Sequence, residues 1–402
     1  MKALFVCHRF PYPPARGGKI RPFNIIRQLA GRHEVTVAAP LRSEAEREAG
    51  AGLAEHCHRI IAEPIGTLAA GARMVGRLAS TQPSSFGYFY SPALARRIGA
   101  ELASGAYELV FVHCSSVAPY VAGHEGAFKV LDFGDMDSEK WAMYAEERRF
   151  PLSAGYWLES VKLRRVEAAL AARFDLCTCT TAAELESLRS LGTARQTGWF
   201  PNGVDTEYFA PATEPYDPDL VCFSGRMDYF PNQQAVLRFC DTVLPRILAQ
   251  RPSTRFVVVG AEPPAVIRRL ADRPAVTVTG TVPDVRPFVR RAAVSVALLD
   301  VARGTQNKIL ESMAMGVPVV CTPLAAQGVD AVPGEHLLTA SGPAEAAATV
   351  LALLGDPARR DTFARAGRAR VISHHSWASS LRRMEELIER YAGPAPARRA
   401  SA

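Results

Sequence analysis

A chain of 402 residues, 48% hydrophobic and 22% charged, exceeds one ordinary core and suits two domains of about 150–200 residues each. That balance excludes a disordered chain, and no run approaches the roughly 18 apolar residues of a membrane-spanning helix. The formal charge of +7 gathers partly in arginine pairs at Arg96-Arg97, Arg148-Arg149, Arg164-Arg165 and Arg290-Arg291, which suit nucleic acid, anionic membrane lipid or a plain solvated surface.

The opening apolar stretch Met1–Cys7 stops at His8, Arg9 and Pro11, too short for a secretory leader, so a cytoplasmic location is expected. It is the first of a series of short β-branched runs. The runs expected to form strands in the first half are Ala3–Cys7, Glu34–Ala39, Arg59–Ala62, Glu108–His113, Lys129–Phe133, Leu176–Thr180 and Thr197–Phe200. In the second half they are Leu220–Phe223, Phe256–Gly260, Val276–Thr279, Val294–Leu299 and Val317–Cys321. They are apolar on both faces and alternate with helix-length segments, which predicts an α/β chain of parallel, doubly wound sheets. Three prolines within Pro211–Pro218 predict the interdomain linker there. Ligands of such sheets bind at the carboxyl ends of the strands.

Gly17-Gly18-Lys19 follows a proline-rich loop and precedes a helix expected over Ile20–Ala30; its glycines let the backbone approach a ligand. Neither half carries G-x-G-x-x-G after its first strand, and no P-loop pattern occurs, which argues against nicotinamide, flavin and ATPase chemistry. His113 ends an apolar run at its carboxyl edge. Asp135-Met136-Asp137 matches a metal-binding D-x-D only formally; with Asp132, Trp141 and Tyr144 these acids are expected to line the acceptor side. The eight cysteines are scattered, and Cys177-Thr178-Cys179 has no second ligand pair, so buried thiols are expected rather than zinc or disulfides. No metal is called for.

At Leu220–Asp228 a strand is expected to end at Gly225, placing Arg226 at its carboxyl edge with a planar fork suited to a diphosphate. The most informative stretch is Ala302–Val320. It turns at Gly304 and runs as a helix with Ile309, Leu310, Met313 and Ala314 inward, ending at Gly316 and Pro318. The helix amino end at Thr305, Gln306 and Asn307 offers bare amides to an anion. Lys308 in the first turn opposes the helix dipole by about 0.3–1 kcal/mol, a conflict that a bound anion removes. Glu311 shares its face.

Together these segments resemble the retaining glycosyltransferases of the GT-B architecture, two doubly wound Rossmann-like domains facing a central cleft, and among them glycosyltransferase family four. Trp199–Phe209 is similar to the family's domain-joining segment, Val278–Phe288 to its G-x-V segment, and Ser376-Trp377 to the start of its terminal helix. The resemblance implies an N-terminal domain over 1–210, a donor-binding domain over 211–375, a helix crossing back over 376–391 and a disordered tail over 392–402. It implies that Gly225, Arg226 and the Arg303–Lys308 segment hold a donor diphosphate, with Gly18 near the phosphates. Gly280 and Val282 would adjoin the base, Glu311 the ribose and His113 the donor sugar, while Lys19, Asp132, Asp135 and Trp141 would face the acceptor. Arg226, Lys308, Glu311 and His113 are thus the expected catalytic set, with no cofactor beyond a nucleoside diphosphate sugar as co-substrate.

Two positions depart from the family pattern: Arg303 stands where a second glutamate is common, and Pro231-Asn232 where a lysine is common. Met227–Asn232, Gln306–Lys308 and Asp137–Trp141 resemble an exosortase-associated subgroup from exopolysaccharide clusters. The expected function is sugar transfer with retention to a glycan or lipid-linked acceptor, at an anionic membrane surface and without nucleic acid as partner. A nucleotide-sugar epimerase of the same fold and a non-catalytic binding relative are the alternatives.

Overall fold

Every apolar run that predicts a strand forms one in the computed structural model, which describes residues 1–14 and 17–392. The chain divides into two units: Met1–Phe200 with the segment from Leu381 onward, and Pro201–Ser380.

The first unit contains β1 (Lys2–Cys7), β2 (Glu34–Leu41), β3 (Arg59–Pro64), β4 (Leu109–His113), β5 (Phe128–Gly134), β6 (Leu176–Cys179) and β7 (Thr197–Trp199). They pair in parallel in the order β3-β2-β1-β4-β5-β6-β7. The strand order reverses between β1 and β4, and the adjoining carboxyl ends open there, as ligand-binding doubly wound sheets require. Leu4, Val6, Val110, Val112 and Leu131 are fully buried, which is why these strands are apolar throughout instead of alternating.

The second unit contains β8 (Asp217–Ser224), β9 (Arg255–Val259), β10 (Val276–Val278), β11 (Ala292–Ala297), β12 (Val319–Cys321) and β13 (Leu338–Thr339), in the order β10-β9-β8-β11-β12-β13, again all parallel. Here the switch falls between β8 and β11. Strand β13 escapes sequence reading because two half-buried residues make no periodic pattern.

Three boundaries differ from expectation. The division falls at Phe200–Pro201, ahead of the proline-rich stretch, and Asp217 and Pro218 already belong to β8. The β8–β11 register shifts between Ala292 and Val294, so Pro218 sits beside an irregularity in the ladder. The first helix runs Gly17–Ala30, so Gly18 and Lys19 lie in its first turn and not in a loop.

The last helix, Trp377–Ala392, is capped by Ser376, whose Oγ accepts from the Ser379 amide at 3.2 Å. Its later turns belong to the first unit. Gln28 Nε2 donates to Glu385 at 3.0 Å, and Arg383 stacks 3.6 Å over Trp199. Residues 393–402, the greater part of the expected tail, lie outside the described residues.

Candidate active site

In the second unit the backbone closes tightly at the end of β8. The Gly225 amide donates to Val259 O at 2.9 Å, and a Cβ placed on Gly260 would lie 1.7 Å from the Gly225 carbonyl oxygen. Gly225 itself has φ +152°, and a Cβ there would meet Asn232 Nδ2 at 2.9 Å and Lys308 Cε at 3.3 Å. Lys308, carried by the helix Asn307–Ala314, thus reaches the strand end where Arg226 begins.

Burial is the main influence on this lysine. It pushes the amine down to about 8, against the opposing pull of Glu311. Burial likewise raises the Glu311 carboxyl to about 7, with Lys308 acting the other way. Lys308 Nζ has a weak contact to Gln306 Oε1 at 3.4 Å and lies 5.7 Å from the Phe223 ring centroid. Among the described residues, no side-chain hydrogen bond of Glu311 occurs. The expected inner face holds: Ile309, Leu310, Met313 and Ala314 are buried, so the polar pair occupies the rest of the helix surface.

The turn preceding this helix is shaped by Gly304, φ +62°; a Cβ on Gly328 would come within 2.2 Å of the Gly304 carbonyl oxygen. Gln306 donates through Nε2 to Arg303 O at 3.2 Å, but its side chain does not cap the helix. Thr305 Oγ1 and Asn307 Oδ1 are buried with no protein partner. Each such atom costs about 1–3 kcal/mol when left unsatisfied, so this turn is built to meet something polar.

Arg226 departs from expectation. Its Nε and Nη2 donate to Asp228 at 3.0 and 2.8 Å, and Nη2 also reaches Glu262 at 2.6 Å. The hydrogen bonds it donates to Asp228 are the first reason its pKa rises above the ordinary value. The fork is therefore engaged by two carboxylates, the first two residues onward and the second in the turn after β9, where Glu262 adopts φ +56°. Asn232, standing where a lysine was noted as missing, holds Arg226 O through Nδ2 at 2.8 Å. Gly280 has φ +71° with open space around it, and Val282 packs half-buried against the cluster of Cys222, Val257 and Val259.

In the first unit the ends of β1, β4 and β5 gather a second group. His113 Nδ1 lies 2.8 Å from Asp132 Oδ2. Asp132 also takes Arg21 Nε at 2.8 Å, Arg21 Nη2 at 2.9 Å and Thr178 Oγ1 at 3.0 Å. Its side chain is 0% exposed. Burial alone would push this carboxyl up, yet the Arg21 charge and hydrogen bonds, with His113, hold it well below the usual range.

The expectation that Asp132 faces an acceptor is thereby corrected. It is a buried anchor that orients the His113 ring, because an unpaired carboxylate at that depth would be prohibitively costly. Lys19 is tied to Glu46 at 2.8 Å and Asp135 to Thr180 Oγ1 at 2.8 Å. Trp141 joins Tyr144 and Tyr156, with ring centroids 6.4 and 5.2 Å away.

Sequence reading passed over His8, Arg9 and Arg21. The His8 ring lies 5.6 Å from that of His113 and 5.2 Å from Phe89. Burial first, then His113 and Arg9, keep His8 neutral. A Cβ on Gly18 would lie 3.5 Å from Arg9 Cδ and 3.8 Å from His8 Nε2, so Gly18 does border this group. Cys114, next after His113, is held at φ +84°, a strained conformation of the kind that gathers at functional sites. The available signal was position: His8 and Arg9 directly follow the first strand.

Comparison with known families and structures follows this division. A model described as "Glycosyltransferase Family 4" matches residues 16–208, and one described as "Glycosyl transferases group 1" matches residues 218–356. Among solved structures, a sucrose-phosphate synthase from Thermosynechococcus elongatus is similar with a TM-score of 0.69 and 18% identity, covering 97% of this chain and 99% of that one. HepE from Anabaena, in complex with UDP, gives a TM-score of 0.69 at 16% identity over 97% and 100%. A Rickettsia africae ESF-5 glycosyltransferase gives 0.66 at 11% over 98% and 99%. No curated protein matches the sequence. At such identities the structural likeness speaks for the fold.

Proposed function

We propose, for a chain that is a glycosyltransferase of the GT-B fold, that it moves a sugar with retention from a nucleoside diphosphate sugar to a glycan or lipid-linked acceptor. The carrying observation is the Lys308–Glu311 pair on a helix whose amino end has no side-chain cap, with the Lys308 side chain reaching the Gly225 turn. A diphosphate at that end would accept from the amides around Thr305 to Asn307, pair with Lys308 and satisfy the buried Thr305 hydroxyl. Glu311 would accept from the ribose hydroxyls. HepE, similar in fold, binds UDP, which supports a nucleotide of that class.

As the bond from the sugar carbon to the diphosphate oxygen breaks, negative charge grows on the leaving group, and Lys308 and the amides are placed to stabilise it. The charge needed is then supplied by the protein, so the reading requires no divalent metal. Arg226 takes part by exchanging Asp228 and Glu262 for phosphate oxygens, which makes it subordinate to Lys308. For the first unit, the proposal assigns His113, steadied by Asp132, to the sugar, and Asp135 and Trp141 to the acceptor. Surface or exopolysaccharide assembly on the cytoplasmic side, as in the exosortase-associated subgroup that the sequence resembles, is the setting proposed.

A panel of nucleoside diphosphate sugars screened by thermal shift tests this. The true donor raises the Tm, since a ligand favouring the folded state stabilises it. Lys308→Ala should abolish that rise and reduce turnover by about 100-fold or more, the scale of losing a charge stabiliser. A mutant retaining near-full activity would remove Lys308 from the mechanism.

A further inference from the structure

In the first unit two arginines meet at one aromatic ring on the carboxyl edge of the sheet. Arg9 lies just after β1 and Arg42 directly after β2, and these strands are neighbours. Arg9 Cζ lies 5.7 Å from the Phe89 ring centroid, and Arg42 Cζ lies 5.4 Å from the same centroid. The His8 ring, 5.2 Å from Phe89, ties the group to His113.

Arg42 is held in place but only partly satisfied. Its Cζ sits 3.9 Å from the Tyr88 centroid and its Nη2 donates to Tyr88 O at 2.8 Å, yet Nε is buried with no protein partner. Arg9 forms no hydrogen bond or ion pair among the described residues. The carboxylate bonded to this group is that of Glu46, and both its oxygens are taken. Oε1 accepts from Lys19 and Oε2 from the Arg42 backbone amide, each at 2.8 Å.

Neither guanidinium is therefore paired with a carboxylate among the described residues. Burial is the main cause that lowers the Arg42 pKa, and the Arg9 charge lowers it by more than Glu46 raises it. Like charges gathered in this way repel, and a bound anion turns that cost into attraction. Gly18, in the first turn of the helix Gly17–Ala30, lies against the Arg9 side chain and brings a helix amino end to the same place.

We propose that Arg9 and Arg42 form a subsite for an anionic group on the acceptor, a carboxylate or a phosphate carried by a sugar. Two planar forks of donors suit either group. The acceptor role rests on the sugar-transfer reading. The subsite itself is tested by anion binding, which does not.

Calorimetric titration of the full chain at low salt, in the presence of UDP, tests it with glucuronate, inorganic phosphate and glucose. At least one of the two anions should bind, and glucose should not. Stronger binding of glucuronate assigns an acidic sugar; stronger binding of phosphate assigns a phosphorylated one. Arg9→Gln should weaken the anion about tenfold, and Arg9→Gln with Arg42→Gln about 100-fold. Because Arg42 also anchors Tyr88, the single variant at the exposed Arg9 carries the test where the double variant fails to fold. UDP binding should be unchanged in Arg9→Gln and lost in Lys308→Ala, which keeps the anion. Equal anion binding by Arg9→Gln and the parent, or none by the parent, overturns the proposal. So does loss of UDP binding in Arg9→Gln, which would give this arginine to the donor. A parent that binds the anion but not UDP counts against the donor reading and leaves the subsite standing.

Discussion

Lys308 and Glu311 are held at a cost in the free protein. With its folded pKa lowered from 10.5 to about 8, the lysine binds its proton less tightly than in the unfolded chain; the penalty is full below pH 8 and fades as pH rises toward 10.5. Glu311 is raised from 4.5 to about 7, so its penalty appears as pH rises through that interval and is full above 7. Lys308→Met should therefore stabilise the ligand-free protein by about 1–3 kcal/mol by chemical denaturation, and at the same time lose donor binding. Donor affinity itself needs the lysine charged and the glutamate ionised. It should peak between about pH 7 and 8, with Glu311→Gln removing the acidic limb in a titration of donor binding. Arg226 was legible by its place after a strand, but its two carboxylate partners, Asp228 in the same turn and Glu262 after another strand, were not.

At the scale of elements, the strand ends carry the geometry. Gly260→Ala would drive a methyl group into the Gly225 carbonyl and should cost upward of about 1–3 kcal/mol, with loss of donor binding. Gly99, in the helix Pro92–Ala103, has open space around it, and Gly99→Ala should stabilise by about 0.5–1 kcal/mol in the same denaturation assay. Asp132→Asn leaves Arg21 buried beside a neutral partner; a loss of about 3–5 kcal/mol is expected, with the His113 ring released from its orientation. Because the folded Asp132 pKa is depressed, its stabilising contribution is complete above the ordinary carboxylate range and disappears as pH falls below it. Acid unfolding of Asp132→Asn followed by circular dichroism should accordingly depend less on pH than that of the parent.

At the scale of the molecule, the alternation of apolar runs was enough to determine two parallel doubly wound sheets, because strands covered on both faces must be apolar throughout. The inward face of the helix Asn307–Ala314 and the Gly304 turn were equally legible, since helix periodicity and punctuation by glycine are local properties. Periodicity did not place the division at Phe200–Pro201, which depends on which segments pack together and not on where prolines cluster. Nor could it see that Arg21 crosses to Asp132, far along the chain, and turns an expected acceptor ligand into the support of His113. The meeting of Arg9 and Arg42 at one ring was hidden for the same reason. Sequence determines what each segment can bury; only tertiary packing decides which side chains are left over, and with what partners.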